Sequence, residues 1–163
     1  MTLLFKVETP GNFTQEEKNE FIALLVKQGQ VSNPNIHKVN ASDYICLVYV
    51  DEKPIGIGAM KNVYDRPFDY AEVPHLKQIF KKELGYLYVD NTLTNFRGLG
   101  IGKTITKLLL SRKGNDNVFA TTDENDENIM KGILQGLGFK KVGKTYIGQK
   151  TKKNIGLYIK QGN

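Results

Sequence analysis

The stretch Asn95-Phe96-Arg97-Gly98-Leu99-Gly100-Ile101-Gly102-Lys103-Thr104 carries three glycines at alternate positions, followed by a Lys-Thr pair. Glycines let a backbone pass close to a ligand, and N–H groups at a helix start, lacking helical partners, point at an anion. The spacing decides which anion. A phosphate loop of the form G-x-x-x-x-G-K-[ST] ends correctly on Gly102-Lys103-Thr104 but needs glycine where Arg97 stands. A dinucleotide fingerprint G-x-G-x-x-G, started at Gly98 or at Gly100, ends on Lys103 or Ile105. Both templates fail by one residue. The pattern R-x-x-G-x-G fits from Arg97 through Gly100 to Gly102, and the Arg97 guanidinium adds a fixed positive charge suited to phosphate oxygens. The plain alternative is a glycine-rich turn that lets a strand pack close to a helix.

Other chemistry-bearing residues are sparse. His37 and His75 lie in unrelated polar segments without metal-ligand spacing, so no metal site is expected. Cys46 is the single cysteine and sits inside the apolar run YICLVYV, which points to a buried thiol in a reducing, cytoplasmic setting rather than to a nucleophile. The formal charge of +6 favours anionic partners without choosing among them. Lysines gather late, in FKKVGKTYIGQKTKK, but stacking aromatics are not interleaved with them, so nucleic-acid binding ranks last. The same lysines suit a solvated hairpin whose basic edge discourages strand pairing.

The elements that must position the glycine segment read as follows. TLLFKVE is a first strand, and Thr14 before Gln15-Glu16-Glu17 opens a helix whose buried stripe is Phe21, Ile22, Leu24, Leu25 and Val26. A second, weaker helix is expected within NPNIHKVNASD. YICLVYVDEKPIGIGAMKNV is a hairpin around Asp51-Glu52-Lys53-Pro54, VPHLKQIFKKE a short amphipathic helix, and ELGYLYVDNTL a strand. GIGKTITKLLLSRK is a helix with Ile101, Ile105, Leu108 and Leu109 on one face. NVFATT is a strand, DENIMKGILQGLGF a helix stopped by Gly138, and FKKVGKTY and NIGLYIK two closing strands. The pattern is an α/β (α+β) fold with a mixed, mostly antiparallel sheet flanked by helices on both faces. At 163 residues, with 40% hydrophobic and 25% charged, the chain suits one soluble domain spanning 1–163. Its apolar runs are too short to span a bilayer, and the start MTLLFKVETPGN indicates no signal peptide.

The order KPIGIGAM, ELGYLYV, RGLGIGKTITKLL, VFATT, ILQGLGFKKVGKTY resembles the GNAT superfamily of acetyl-CoA-dependent N-acetyltransferases, over about residues 44 to 161. The resemblance implies that Arg97, Gly98, Leu99, Gly100, Ile101, Gly102 and Lys103 cradle the pyrophosphate of coenzyme A. It implies that Leu87, Tyr88 and Val89 bind the pantetheine arm through their main chain, with the Val89 N–H polarising the acetyl carbonyl. Glu83 matches a position where several members keep a catalytic glutamate able to take a proton from the incoming ammonium. Strand alternation puts Glu83, Gly85 and Leu87 on one face, with Gly85 leaving space beside the carboxylate. The other possibility for Glu83 is a strand-end charge paired with Lys81 or Lys82.

Three departures from the family pattern stand out. Leu134 occupies the place of the tyrosine that protonates the departing thiolate, leaving Tyr86, Tyr88, Tyr146 or solvent to do so. The link VDNTLTNFRG is longer than usual, so Thr92 or Leu93 is an alternative to Val89. The asparagine found near pantetheine matches Glu127 by counting, with Asn125 or Asn128 close by, and either also suits a helix cap. The implied reaction is direct transfer from acetyl-CoA to a primary amine of a small molecule or peptide, by a monomer or homodimer. The alternative is a non-catalytic GNAT-fold module that senses acyl-CoA.

Overall fold

The computed structural model describes residues 1–62, 65–92, 96 and 98–162. Seven strands form one sheet with hydrogen-bonding order β1-β2-β3-β4-β5-β7-β6: β1 Leu3–Glu8, β2 Tyr44–Val50, β3 Lys53–Asn62, β4 Lys82–Val89, β5 Val118–Asp123, β6 Lys140–Ile147 and β7 Asn154–Lys160. β1/β2, β2/β3, β5/β7 and β6/β7 are antiparallel and β4/β5 is parallel, so the sheet is mixed and mostly antiparallel. The helices are α1 Gln15–Gln28, α2 Ile36–Asn40, α3 Arg66–Tyr70, α4 Ile101–Leu110 and α5 Ile129–Gly136. No helix among the described residues is long and apolar enough to cross a membrane. The residues group into two compact units, one of Met1–Lys61 with Leu84–Arg112, the other of Asn62–Glu83 with Lys113–Asn163.

In the first unit α1 begins where the sequence marks it. The Thr14 hydroxyl accepts from the Glu17 N–H at 3.1 Å, and Glu17 Oε1 accepts from the Thr14 N–H at 2.8 Å, a reciprocal capping box. Gly29, left-handed at φ 76°, ends the helix. Phe21, Leu24 and Leu25 are buried with Phe13, Val39, Ile45, Leu47 and Ile57. Val26, expected in the same stripe, is 59% exposed. Ile22 only borders the core, so the apolar face is narrower than the residue types suggest. The β2–β3 turn is tighter than expected too. Val50 pairs with Lys53, leaving Asp51 and Glu52 as a two-residue turn with φ 45° and 70°, the left-handed values that match strand twist. Pro54 lies within β3 opposite Tyr49, beside a bulge.

One glycine sets how closely α4 approaches β3. A Cβ on Gly58 would lie 2.6 Å from Ile105 Cγ2, 2.9 Å from Leu87 Cδ2 and 3.0 Å from Leu109 Cδ1. Ile101, Ile105 and Leu109 form the buried face of α4 as predicted, with Leu108 half-buried.

In the second unit β4 begins with a parallel ladder of two pairs, Lys82↔Val118 and Glu83↔Phe119. Phe68, Ala71, Phe80, Phe119 and Leu157 form the core there, with the Phe68 and Phe119 rings edge to face at 4.7 Å. The expected helix over VPHLKQIFKKE is only a 3₁₀ segment, Pro74–Gln78, because the chain is already extended in β4 from Lys82. α3, which the sequence did not suggest, is a five-residue turn of helix opened by Pro67.

Candidate functional site

Among the described residues, the start of α4 is bare. Its N-cap is Gly100 at φ 68°, ψ 25°, which makes no side-chain cap, and no acidic residue stands in the first turn. Gly98 is also left-handed, at φ 81°, and none of the described residues lies within 4 Å of a Cβ built on either glycine. Both therefore need glycine for backbone conformation rather than for want of space. The Thr104 N–H makes the first helical bond, to Gly100 O at 2.9 Å, so the N–H groups of Ile101, Gly102 and Lys103 precede the ladder. Ile101 is buried and anchors the turn, while Leu99 and Lys103 are exposed. Such a helix start, with a positive dipole end and a lysine beside it, is chemically suited to an anion. Arg97, which completes the sequence motif, lies outside the described residues.

The second half of β4 belongs to the same unit and is not a regular strand. Tyr86 has φ 57°, a conformation in which a buried aromatic residue is strained. Its ring is held edge-on to Phe21 at 6.3 Å, with Lys61 Nζ 4.3 Å from the ring centroid. The kink falls between Gly85 and Leu87, so regular strand alternation does not carry through from Gly85 to Leu87. The space expected beside Gly85 is also filled, since Lys61 Cδ lies 2.8 Å from where a Cβ would stand.

Beyond the kink, the Leu87 carbonyl accepts from Gln28 Nε2 at 2.8 Å. A carbonyl can only accept, which fixes the orientation of the Gln28 amide. Its Oε1 is the one buried side-chain polar atom without a partner among the described residues. Asp90, 2% exposed, accepts from the Thr92 hydroxyl at 2.6 Å, the Thr92 N–H at 3.0 Å and Lys27 Nζ at 2.9 Å. The Thr92 hydroxyl first, then Lys27, lower the Asp90 carboxyl to about 2. The Tyr88 hydroxyl is shifted up, by burial first and by the Asp90 charge second, so it stays protonated at neutral pH. Of the register alternatives, the Thr92 N–H is already engaged by Asp90, and Leu93 lies outside the described residues.

The remaining predicted residues lie in the second unit. Glu83 is 5% exposed and stands in the ladder opposite Phe119. Tyr146, on β6, is half-buried with its ring 5.3 Å from that of Tyr70. Asn128 caps α5: Oδ1 accepts from the Met130 N–H, and Nδ2 donates to Thr122 Oγ1 and to Asp123 O, which uses both amide protons. Asn125 Oδ1 accepts from the Glu127 N–H, and its amide nitrogen has no partner among the described residues. Leu134 is fully buried. Cys46 is too, and burial pushes its thiol up to about 12, which leaves it inert as a nucleophile.

The structure thus brings Leu87, Tyr88 and Val89 together with Gly98 to Lys103 in one unit, and places Glu83, Asn125, Asn128 and Tyr146 in the other. Sequence reasoning missed Lys27, Gln28 and Asp90. The D-x-T spacing of Asp90 and Thr92 is a turn signal that could have revealed the carboxylate, whereas nothing local marks Gln28.

Known structures share this architecture. An acyl-CoA N-acyltransferase from Pseudomonas aeruginosa superposes with a TM-score of 0.71 at 12% identity, covering 98% of this chain and 99% of that one. An N-acetyltransferase from Staphylococcus aureus Mu50 gives 0.68 at 17% identity, covering 99% of each. An acetyltransferase of the GNAT family from Streptococcus agalactiae gives 0.64 at 16% identity, covering 98% and 96%. The chain has the GNAT fold. No family model and no curated protein matches it in sequence.

Proposed function

We propose that this chain is an acetyl-CoA-dependent N-acetyltransferase acting on a primary amine, with residues 1–163 working as one catalytic domain in the cytoplasm. The observation that carries this is the bare start of α4, with two left-handed glycines, three N–H groups ahead of the helical ladder and no carboxylate in the first turn. Those groups suit a diphosphate. Gly98, Leu99, Gly100, Ile101, Gly102 and Lys103 would hold the pyrophosphate of coenzyme A with Arg97, and Leu87, Tyr88 and Val89 its pantetheine arm.

When bound, the cofactor supplies an acyl thioester. The roles of the chain's own residues follow from their chemistry. Val89, the residue that the family resemblance points to, offers its N–H to the carbonyl oxygen; of its two rivals, Thr92 has its N–H engaged by Asp90, and Leu93 lies outside the described residues. Glu83 accepts the proton that an ammonium must lose before it can attack. Tyr88, whose phenol is held protonated, donates to the departing sulfur; Tyr146 is the second candidate. Thiol release from acetyl-CoA, followed across polyamines, amino acids, aminoglycosides and lysine peptides, tests the proposal. At least one amine should accelerate release well above hydrolysis.

A second reading, an acyl-CoA sensor without turnover, is favoured by one observation: the residue in place of the family's acid tyrosine, Leu134, is fully buried. Tight binding of acetyl-CoA with no amine-stimulated thiol release would select it.

A further inference from the structure

The second unit holds an open pocket of about 480 Å³ lined by Asp123, Glu124, Asn125, Lys152, Lys153 and Asn154. By residue type it is balanced, two carboxylates against two ammonium groups, but Glu124 is already engaged on both oxygens and Asp123 on one. Glu124 Oε1 accepts from the Tyr158 hydroxyl at 2.8 Å, and Oε2 lies 3.3 Å from Lys131 Nζ and 3.8 Å from Lys141 Nζ. Gly156 makes room for it, since a Cβ there would lie 1.7 Å from Glu124 Oε1. Asp123 Oδ1 accepts from the Asn125 N–H at 2.9 Å.

The donors are not engaged to the same degree. Among the described residues the Lys152 ammonium, the Asn154 side chain and the Asn125 amide nitrogen have no partner, and Lys153 has only Asp123 Oδ2 at 3.7 Å. The two lysines are held at the rim by a closed turn, in which Lys152 N–H donates to Gly148 O at 2.9 Å and Gly148 N–H to Lys153 O at 2.8 Å. With the Glu124 carboxylate taken up by Tyr158, Lys131 and Lys141, the ammonium groups of Lys152 and Lys153 outweigh the one remaining carboxylate of the lining, and that balance suits an anion.

We propose that this pocket takes the carboxylate or phosphate of the acceptor. Its amine identity rests on the acyltransferase function proposed above, but the anion subsite does not. Glu83, the base in that proposal, is in the same unit and pairs with Phe119. Asp123, at the pocket, lies four residues farther along β5, a run of roughly 13 Å. Even after the side chains reach inward, an amine and an anion on one carbon are too close together to engage both ends. The acceptor class is therefore a short peptide acid or an ω-amino carboxylate or phosphate.

The test compares pairs of acceptors that differ only in the anion: 6-aminohexanoate with 6-aminohexanamide, triglycine with triglycinamide, and 6-aminohexyl phosphate with 6-aminohexanol. The anionic member of a pair should show a kcat/KM higher by about 10-fold or more. Lys152→Gln with Lys153→Gln should bring that ratio toward one. The carboxylate and phosphate arms show which anion is preferred. Equal rates within every pair, or a preference that survives the double variant, would overturn the proposal. If no amine is acetylated at all, the acyltransferase function fails, and calorimetry with 6-aminohexyl phosphate then decides the subsite alone. Saturable binding lost in the double variant supports it; no binding, or binding the variant keeps, refutes it.

Discussion

The Lys27 ammonium lies 2.9 Å from Oδ2 of Asp90, tying the last turn of α1 to the end of β4 across 63 residues of sequence. One residue on, Gln28 donates to the Leu87 carbonyl of the same strand. Together these contacts fix the short segment that the proposed function assigns to the thioester arm, and Asp90 also shapes the turn that leaves it through Thr92.

Asp90 makes that anchoring measurable. Its carboxyl sits at about 2 in the fold, below the ordinary value near 3.9, so its contribution is fully present above pH ~4 and is lost as pH falls through about 2. A shift of that size corresponds to about 2 kcal/mol. Asp90→Asn should lower urea-measured stability by about that amount at pH 7 and remove the matching loss between about pH 4 and pH 2. An unchanged pH profile would show that the hydrogen bonds to Thr92 hold the turn without the charge.

Thiolate protonation separates two tyrosines. Tyr88→Phe should lower kcat about 10-fold or more with acetyl-CoA affinity kept, because general-acid assistance is typically worth that or more. Tyr146→Phe should have a smaller effect. The reverse order would move the acid to Tyr146, and no effect from either would leave the role to solvent.

For Glu83, glutamine keeps the shape and removes the basicity. Turnover in Glu83→Gln should fall by about 10²–10⁴-fold with cofactor binding retained, and the deficit should shrink as pH rises and more acceptor arrives neutral. Steady-state rates matching wild type across pH would reduce Glu83 to a structural carboxylate in the β4/β5 ladder.

Most elements were legible because their signals are local. The Thr14–Glu17 capping box, the β2–β3 hairpin and the buried face of α4 each announce themselves within a few residues. Failures came where distant packing decides. Val26 has the right residue type for a buried stripe but is left exposed among the described residues, and the helix expected near residue 80 yields to β4. The loop glycines were readable because a left-handed conformation demands glycine. The Tyr86 kink was not, since no tyrosine-specific signal predicts φ 57°; Lys61 and Phe21 hold it from elsewhere in the chain. Asn128 fitted equally a cap and a ligand, and its hydrogen bonds show the cap.

The central claim is that the start of α4 binds the pyrophosphate of coenzyme A, and calorimetric titration with acetyl-CoA tests it directly. Gly100→Asp places a carboxylate beside the open N–H groups, while Gly100→Asn imposes the same shape and backbone strain without the charge. Wild-type protein should bind acetyl-CoA and not Mg-ATP, with affinity reduced about 10-fold or more in folded Gly100→Asp and markedly less in Gly100→Asn. Affinity unchanged in Gly100→Asp, or Mg-ATP bound more tightly than acetyl-CoA, would contradict it.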